Sequence, residues 1–446
     1  MLDLHTAILK NEMVLAIGCT EPTAIALAAA KARAILGTMP EKIEVYVSGN
    51  MLKNSAGVVV PNSGGMKGVN VAATIGVLGA DHTKNLEALQ SVTTEHVKQA
   101  HVLLENNFSK MHMTANPAKL YVKVIAYNGL DMAWAVIKDR HDNFFELGKN
   151  NQIIDTSVSD ANSLNAKLNQ TNQNKIQLSN SDNADDTDQI EALYEQLSIC
   201  GIYEFITQGD LGEIRARIEQ QIELNTLASE EGLTTNYGLN VGKTILKYSN
   251  PNDVWIKAKA HAAAGSDARM GGSVLPVMTI CGSGNQGITA CVPLVVYAQA
   301  HNIEHEQLIK AIALSNLVAI HIKHHMGRLS AFCGVMTAGM GVSAGLTFLS
   351  NGTLREIEET VQNIIGDISG VFCDGAKPTC ATKIASSIDA AFQAHYLVKD
   401  NNMINSDMGI ISAHNVEQTI RNIGKIGGEA MNNTDQAICD IMAKRI

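Results

Sequence analysis

Two periods of apolar and polar positions succeed one another along the chain. Residues 1–37 repeat their apolar positions at helical spacing, and within them "CTEPTAIALAAAKARAIL" places Thr20 as an N-cap, Glu21 in the first turn and Pro22 near the helix start. The period then shortens. "KIEVYVSGNM" (42–51) reads as a strand, and "KLYVKVIAYNGLDMAWAVIKD" (119–139) alternates apolar and polar residues about Asn128-Gly129, a strong hairpin signal. Between them lie the glycine-rich loop "VVVPNSGGMKG" and helical stretches around 84–106. From 149 to 188 the chain turns to Asn, Gln, Ser and Asp and has too little apolar surface to build a core of its own. Beyond it, helical spacing predicts elements over 188–200, 209–229, 254–264, 286–301, 305–322, 330–350, 353–366 and 379–398, with no strand pair and no internal repeat. The expected class is α+β: an N-terminal α+β region with antiparallel strands over 1–148, a polar excursion or linker over 149–188, and a mostly α-helical catalytic domain over 189–446.

Charge and composition narrow the function. With 46% hydrophobic residues, 17% charged residues and a net charge of -10, the chain reads as an acidic globular protein that repels nucleic acid and anionic membranes. Its first residues lack the basic start and apolar run of a secretory signal, so the expected location is the cytoplasm, where thiols stay reduced. Residues 329–350, "LSAFCGVMTAGMGVSAGLTFLS", are uncharged and long enough to span a bilayer. They are dominated by Gly, Ala, Ser and Thr, however, which suits a helix buried among others at close backbone approach. Eight cysteines without framework spacing argue against a disulfide scaffold and leave packing, metal binding or catalysis as their uses.

The candidate chemistry gathers in the helical half. Cys333 precedes the uncharged helix, and Cys373 and Cys380 bracket the turn "FCDGAKPTC". Three thiolates from two loops are what a cubane iron–sulfur cluster needs for three of its four irons, whereas the spacing is that of neither a ferredoxin nor a zinc ribbon. Packing of buried cysteine is the commoner use of such residues, and spacing alone leaves both readings open. Ser283, Gly284 and Asn285 offer donors for a carboxylate at a helix start, and Asn50, Asn54 and Asn62 are polar groups in the N-terminal loops that face the same question; ordinary turn chemistry is the competing account of each. In "HIKHHMGRLS" (321–330) a basic lining, with Arg328 as a carboxylate clamp, is preferred to metal ligation, because no Glu follows His321. Cys200, Cys281, Cys291 and Cys439 read as packing residues.

The spacing of Cys333, Cys373 and Cys380 resembles the cluster triad of the L-cysteine desulfidases, relatives of the α chain of iron–sulfur L-serine dehydratases. "PVMTICGSGNQGITACVPLVV" (276–296) resembles the family's Gly/Ser-rich loop entering a helix, "RLSAFCGVMTAGMGVSAGL" (328–346) its first ligand segment, and "GCTEPTAIALA" (18–28) the opening of the desulfidase branch. The resemblance runs over nearly the whole chain, 149–188 being the least similar part. It implies a [4Fe–4S] cluster on the three cysteines, with one iron left open to act as Lewis acid on a bound amino acid. It implies Cys19 as the base that takes the Cα proton, beside a helix N-terminus that favours a thiolate, with Thr20 among the substrate contacts. The implied reaction is β-elimination of sulfide from L-cysteine to pyruvate and ammonia without pyridoxal phosphate, the dehydration of L-serine being the alternative. Some serine dehydratases of this kind cap the open iron with a cysteine at the chain end, whereas this chain has Cys439 seven residues before its last residue.

Two other classes compete. "GSGNQG" (282–287) is like the Ser-x-Gly-Asn loop of pyridoxal-phosphate dehydratases, but no Schiff-base lysine segment precedes it and no glycine run follows to hold the phosphate. A non-catalytic metal or redox-sensing module would use the three cysteines but has no need of a substrate loop. The expected partners are a small amino-acid substrate and a second copy of the chain in a homodimer, with no nucleic acid and no membrane.

Overall fold

The computed structural model describes residues 4–114, 116–158, 192–327 and 329–444. The fold is α+β. Its elements begin with α1 (Leu4–Glu12), β1 (Leu15–Ile17), α2 (Thr20–Leu36), β2 (Lys42–Val47), α3 (Gly49–Ser55), α4 (Val69–Gly79) and α5 (Thr94–Glu105). The strands β3 (Ser109–Met113), β4 (Tyr121–Asn128), β5 (Asp131–Lys138), β6 (Phe144–Lys149) and β7 (Gln152–Val158) follow. Then come α6 (Ile199–Gln208), α7 (Ile214–Thr234), α8 (Val241–Tyr248), α9 (Val254–Met270), β8 (Pro276–Met278), α10 (Gly284–His301) and α11 (His305–Met326). The chain closes with α12 (Gly334–Leu349), α13 (Leu354–Ile368), α14 (Cys380–Lys399), α15 (Val416–Lys425) and α16 (Asn432–Ala443). Two compact units share these elements without following chain order. Met1–Thr20, Lys53–Pro61 and Gln196–Ile446 form a helical unit, and Glu21–Leu52 with Asn62–Glu195 form an α+β unit.

In the α+β unit six strands lie in the order β3-β2-β4-β5-β6-β7. All neighbours are antiparallel except β2 and β3, whose parallel pairing requires the helical crossover that α4 and α5 supply. Alternation in β4 puts Val122, Val124 and Ala126 on the buried face. The β4–β5 hairpin turns one residue later than its Asn-Gly signal: Asn128 pairs with Asp131, and Gly129 takes a left-handed φ of 56° at the first loop position. Gly148 lies under the Trp134 ring, whose Nε1 donates to Glu146 Oε1 at 2.6 Å. The opening of the polar excursion, Gln152–Val158, is the edge strand β7, and residues 159–191 lie outside the described residues.

The first 37 residues, read as helical from the sequence, are not helical throughout. β1 interrupts them and pairs antiparallel with β8, Leu15 opposite Met278 and Ile17 opposite Pro276. A three-residue strand inside an apolar run leaves no period of its own to read. Of the helix expected over 188–200, residues 192–194 are helical, and α6 starts separately at Ile199, where Ser198 is the N-cap and accepts the Gly201 N–H at 3.1 Å.

At the centre of the helical unit lies α12, buried almost throughout. Its small residues meet a different neighbour on each side. A Cβ at Gly339 would stand 1.9 Å from Ser387 Oγ on α14, one at Gly341 2.2 Å from the Ser315 carbonyl oxygen on α11, and one at Gly345 2.7 Å from Leu294 on α10. No helix among the described residues is long and apolar enough to cross a membrane. Replacing a helical glycine by alanine ordinarily stabilises by about 0.5–1 kcal/mol. That sign should reverse at Gly341, where the new methyl meets a backbone oxygen, costing about 1–3 kcal/mol. Gly366→Ala on α13, with no atom nearer than 3.7 Å, is the control expected to raise the melting temperature while Gly341→Ala lowers it.

Candidate active site

The two cysteine-bearing segments are joined by backbone before any side chain is considered. Phe332 and Phe372 form an isolated antiparallel bridge; Cys333 N–H donates to Val371 O at 3.0 Å and Cys373 N–H to Ala331 O at 2.5 Å. Cys333 is thereby the N-cap of α12, beside Cys373 on the facing segment, and Cys380 is the first residue of α14. The Cys333 and Cys373 side chains share a hydrogen bond, and the charge of Cys380 acts on Cys333.

These thiols have unequal affinities for the proton. The hydrogen bond from Cys333 pulls Cys373 below the usual thiol range against the opposition of burial, with Lys53, the Gly375 N–H and Lys383 adding to it. Cys333 is pushed up by the same hydrogen bond, by burial and by the charges of the other two. Burial raises Cys380. The arrangement favours one thiolate, on Cys373, held among cations. Lys53 is 2% exposed and pairs with Asp435 Oδ1 at 2.5 Å, and Lys383 donates to Asp374 Oδ1 at 2.7 Å and to the Phe372 carbonyl at 2.8 Å.

Cys19 joins the same neighbourhood. Gly18 precedes it at a φ of 62°, and its missing side chain leaves room for the Pro61 ring, which a Cβ would approach to 2.1 Å. Cys19 itself is 2% exposed, and its Sγ lies 3.8 Å from the Asn54 carbonyl oxygen. It packs with Val58 and Met270 in an apolar cluster against which Cys380 and Ala376 lie. The helix α2 begins at Thr20, one residue before the N-cap reading would start it, and the Thr20 hydroxyl donates to the Gly282 carbonyl at 3.1 Å.

That contact leads to the glycine-rich loop. Ile280 and Ser283 exchange backbone hydrogen bonds around Cys281 (φ 50°) and Gly282 (φ 71°), a tight turn with two left-handed residues that delivers Ser283 to the N-cap of α10. The loop is braced from below: Asn225 accepts the Met278 N–H at 2.8 Å and donates to its carbonyl at 3.1 Å, as a neighbouring strand would. At the start of α10 the side chain of Gln286 lies against Gly334, the residue after Cys333.

Of the residues singled out by sequence, Cys19, Thr20, Asn54, Ser283, Gly284, Asn285, Cys333, Cys373 and Cys380 belong to the helical unit. Asn50 and Asn62 belong to the α+β unit, where Asn62 takes a left-handed φ of 56° and donates to the Leu89 carbonyl at 2.9 Å. Arg328 lies outside the described residues. In the basic stretch before it, His321 Nε2 meets Glu417 Oε2 at 2.7 Å, tying α11 to α15, and Lys323 donates to Ser330 at 3.3 Å. Sequence reasoning missed Lys53 and Arg269. The signal for Lys53 was its isolation as the one charge between Glu44 and Lys67; for Arg269, it was its place as the last Asp, Glu, Lys or Arg before the uncharged run that holds the loop.

The family profile of the serine dehydratase alpha chain matches residues 83–440, and the chain belongs to that family. It is 41% identical over 442 residues to a UPF0597 protein of Finegoldia magna, covering 99% of both chains. It is 39% identical to UPF0597 proteins of Fusobacterium nucleatum (98% of each chain) and Treponema denticola (99% of this chain and 98% of the relative). The kinship expected from the cysteine spacing and the loop is borne out. The family points to iron–sulfur chemistry, and the donor set can be tested against it. A single ion draws its ligands to one point, and among the described residues no three His, Cys, Asp or Glu side chains do so. A cluster instead takes each thiolate on a different iron, which suits three thiols on two bridged segments beside two lysines.

Lys53 and Asp435 form a buried pair, so each depends on the other. Lys53→Met alone leaves a carboxylate buried without its cation and should cost about 3–5 kcal/mol, whereas the double variant Lys53→Met with Asp435→Leu should recover most of that loss. Chemical-denaturant unfolding of the two variants and the parent checks the expectation.

Proposed function

We propose that the chain is an iron–sulfur lyase acting on L-cysteine, with loss of sulfide and formation of pyruvate and ammonia. One observation supports it above the others: Cys19 and Cys380 pack on one apolar cluster, so a candidate base and a candidate cluster ligand share a neighbourhood. A [4Fe–4S] cluster held by Cys333, Cys373 and Cys380 would supply an iron without a protein thiolate, a Lewis acid for the leaving sulfur. The remaining work belongs to the chain. Cys19, as thiolate, takes the Cα proton while the Cα–H electron pair forms the Cα–Cβ double bond and the Cβ–S bond breaks. Sulfide and aminoacrylate result; the latter tautomerises to an imine, which water hydrolyses to pyruvate and ammonia. Donors at the start of α10 hold the substrate carboxylate. Burial of Cys19 excludes water from the proton transfer.

L-Serine is the second reading, favoured by the name of the family, since loss of water in place of sulfide uses the same groups. Cysteine is preferred because the "GCTEP" opening resembles the desulfidase branch and a thiolate is the softer ligand for a soft site. The proposed location is the cytoplasm.

Full-length protein loaded anaerobically with iron and sulfide should release sulfide, pyruvate and ammonia from L-cysteine in equal amounts, faster than it acts on L-serine. Cys373→Ser should lose both iron and turnover; full iron content in that variant would remove the cluster assignment, and faster turnover of L-serine would reverse the choice of substrate. Cys19→Ser should keep the cluster spectrum while kcat falls by about two to four orders of magnitude, the usual worth of a general base. Turnover within a few-fold of the parent would make Cys19 a packing residue.

A further inference from the structure

The helical unit holds a buried cation with no counter-charge among the described residues. Arg269, in the last turn of α9, is 4% exposed. Its Nη1 donates to Asn285 Oδ1 at 3.1 Å, its Nε has no hydrogen-bond partner among the described residues, and no carboxylate there pairs with it. The nearest acid in sequence, Asp267, stands two residues away, points elsewhere on the helix and accepts the Gly242 N–H at 3.1 Å. An unpaired guanidinium taken out of water is costly, and such groups persist where something offsets the charge.

Its surroundings show what offsets it. The guanidinium lies against the first residue of α10: a Cβ at Gly284 would stand 2.3 Å from Arg269 Nε, so the glycine makes the space the cation occupies. The first backbone N–H groups of an 18-residue helix have no intrahelical acceptor, and Ser283 at the N-cap does not cap them with its side chain. The positive end of the helix dipole and a guanidinium therefore face the same spot, and both call for an anion. That spot adjoins the site already described. Met270, the next residue, packs with Cys19, and Gln286 in the same first turn of α10 lies against Gly334, next to Cys333.

We propose that Arg269 and the first turn of α10 form a carboxylate-binding subsite that takes the carboxylate of the amino-acid substrate. The identity of the ligand rests on the elimination reading above; the demand for an anion rests on the geometry alone. A planar guanidinium matches a carboxylate with two parallel hydrogen bonds, which a lysine ammonium does not reproduce.

Pyruvate, a carboxylate that cannot undergo elimination, is the probe. Its binding to the anaerobically loaded full-length protein is measured by calorimetry for the parent, Arg269→Gln and Arg269→Lys, with iron content and melting temperature recorded for each. Loss of hydrogen bonds to a charged group should weaken binding about 10- to 100-fold in Arg269→Gln, with Arg269→Lys between it and the parent. Iron content should be unchanged, and the ligand-free Arg269→Gln protein should melt no lower than the parent because an unpaired buried charge has gone. Pyruvate binding that is equal in parent and Arg269→Gln, or absent from the parent, overturns the subsite. If Arg269→Gln does not fold, Arg269→Lys decides: weaker binding upholds the proposal and parent-like binding overturns it. The two readings separate cleanly. Arg269-dependent pyruvate binding without release of pyruvate from L-cysteine or L-serine upholds the subsite and removes the lyase reading, whereas turnover with Arg269-independent binding does the reverse.

Discussion

The site depends on how closely α12 can approach its neighbours. Glycines at 339, 341 and 345 let α14, α11 and α10 come in until the helices touch at a serine hydroxyl, a backbone carbonyl and a leucine side chain. Cys333 is the N-cap of α12 and Cys380 the first residue of α14, so the Gly339–Ser387 contact sets the separation of two cysteines that lie on different helices. The Ser387 hydroxyl adds to it by donating to the Val335 carbonyl at 2.9 Å, two residues after Cys333. Bulkier residues along α12 would move the helices apart and the thiols with them.

Helix starts gather in this part of the unit. Cys333 and Cys380 stand at the starts of α12 and α14, Thr20 at the start of α2 touches Gly282, and Gln286 in the first turn of α10 touches Gly334. Each start carries the positive end of a helix dipole, and Lys53, Lys383 and Arg269 add full charges. Such a concentration of positive potential is unfavourable by itself. It makes physical sense around groups that are anionic in use: thiolates, and a carboxylate on a substrate. Asp435 neutralises Lys53 and Asp374 pairs with Lys383, so both lysines serve the fold as well as Cys373, while Arg269, on the proposed reading, is left to a ligand. Stability given up at a functional site in this way is a common trade.

Features with a period or a fixed spacing were legible in the sequence. The β4–β5 hairpin, the buried small-residue helix and most of the helices after residue 199 follow from apolar patterning, with ends displaced by up to six residues, while α8, α15 and α16 were not anticipated. What the pattern does not carry was missed. β1 and β8 are three residues each, and nothing local distinguishes them from the apolar runs around them. Neither did chain order show that residues 1–20 and 53–61 pack with the helices after 196, because that grouping is made by contacts far apart in sequence. Lys53 and Arg269 look like surface residues in any composition count, since a side chain's burial is decided by tertiary packing. The cysteine spacing drew attention to two segments that the backbone bridge between Phe332 and Phe372 joins, a pairing that no local pattern in the sequence carries.

The end of α9 draws these strands of argument together. Successive residues on a helix point about 100° apart, so Arg269 and Met270 leave one turn in different directions. Arg269 goes to the start of α10, and Met270 to the apolar cluster with Cys19 and Cys380. One helix end thus separates a charged pole from a thiol-lined one. A free amino acid has the same polarity, with its carboxylate at one end, its β-substituent at the other and the Cα proton between them. On the proposed reading, Arg269 sets which end of the substrate enters where, and Cys19, packed on Met270, is set toward the bond that must ionise. The "GCTEP" and "GSGNQG" stretches, more than 250 residues apart in the chain, then act as parts of one device, joined at the hydrogen bond from Thr20 to Gly282.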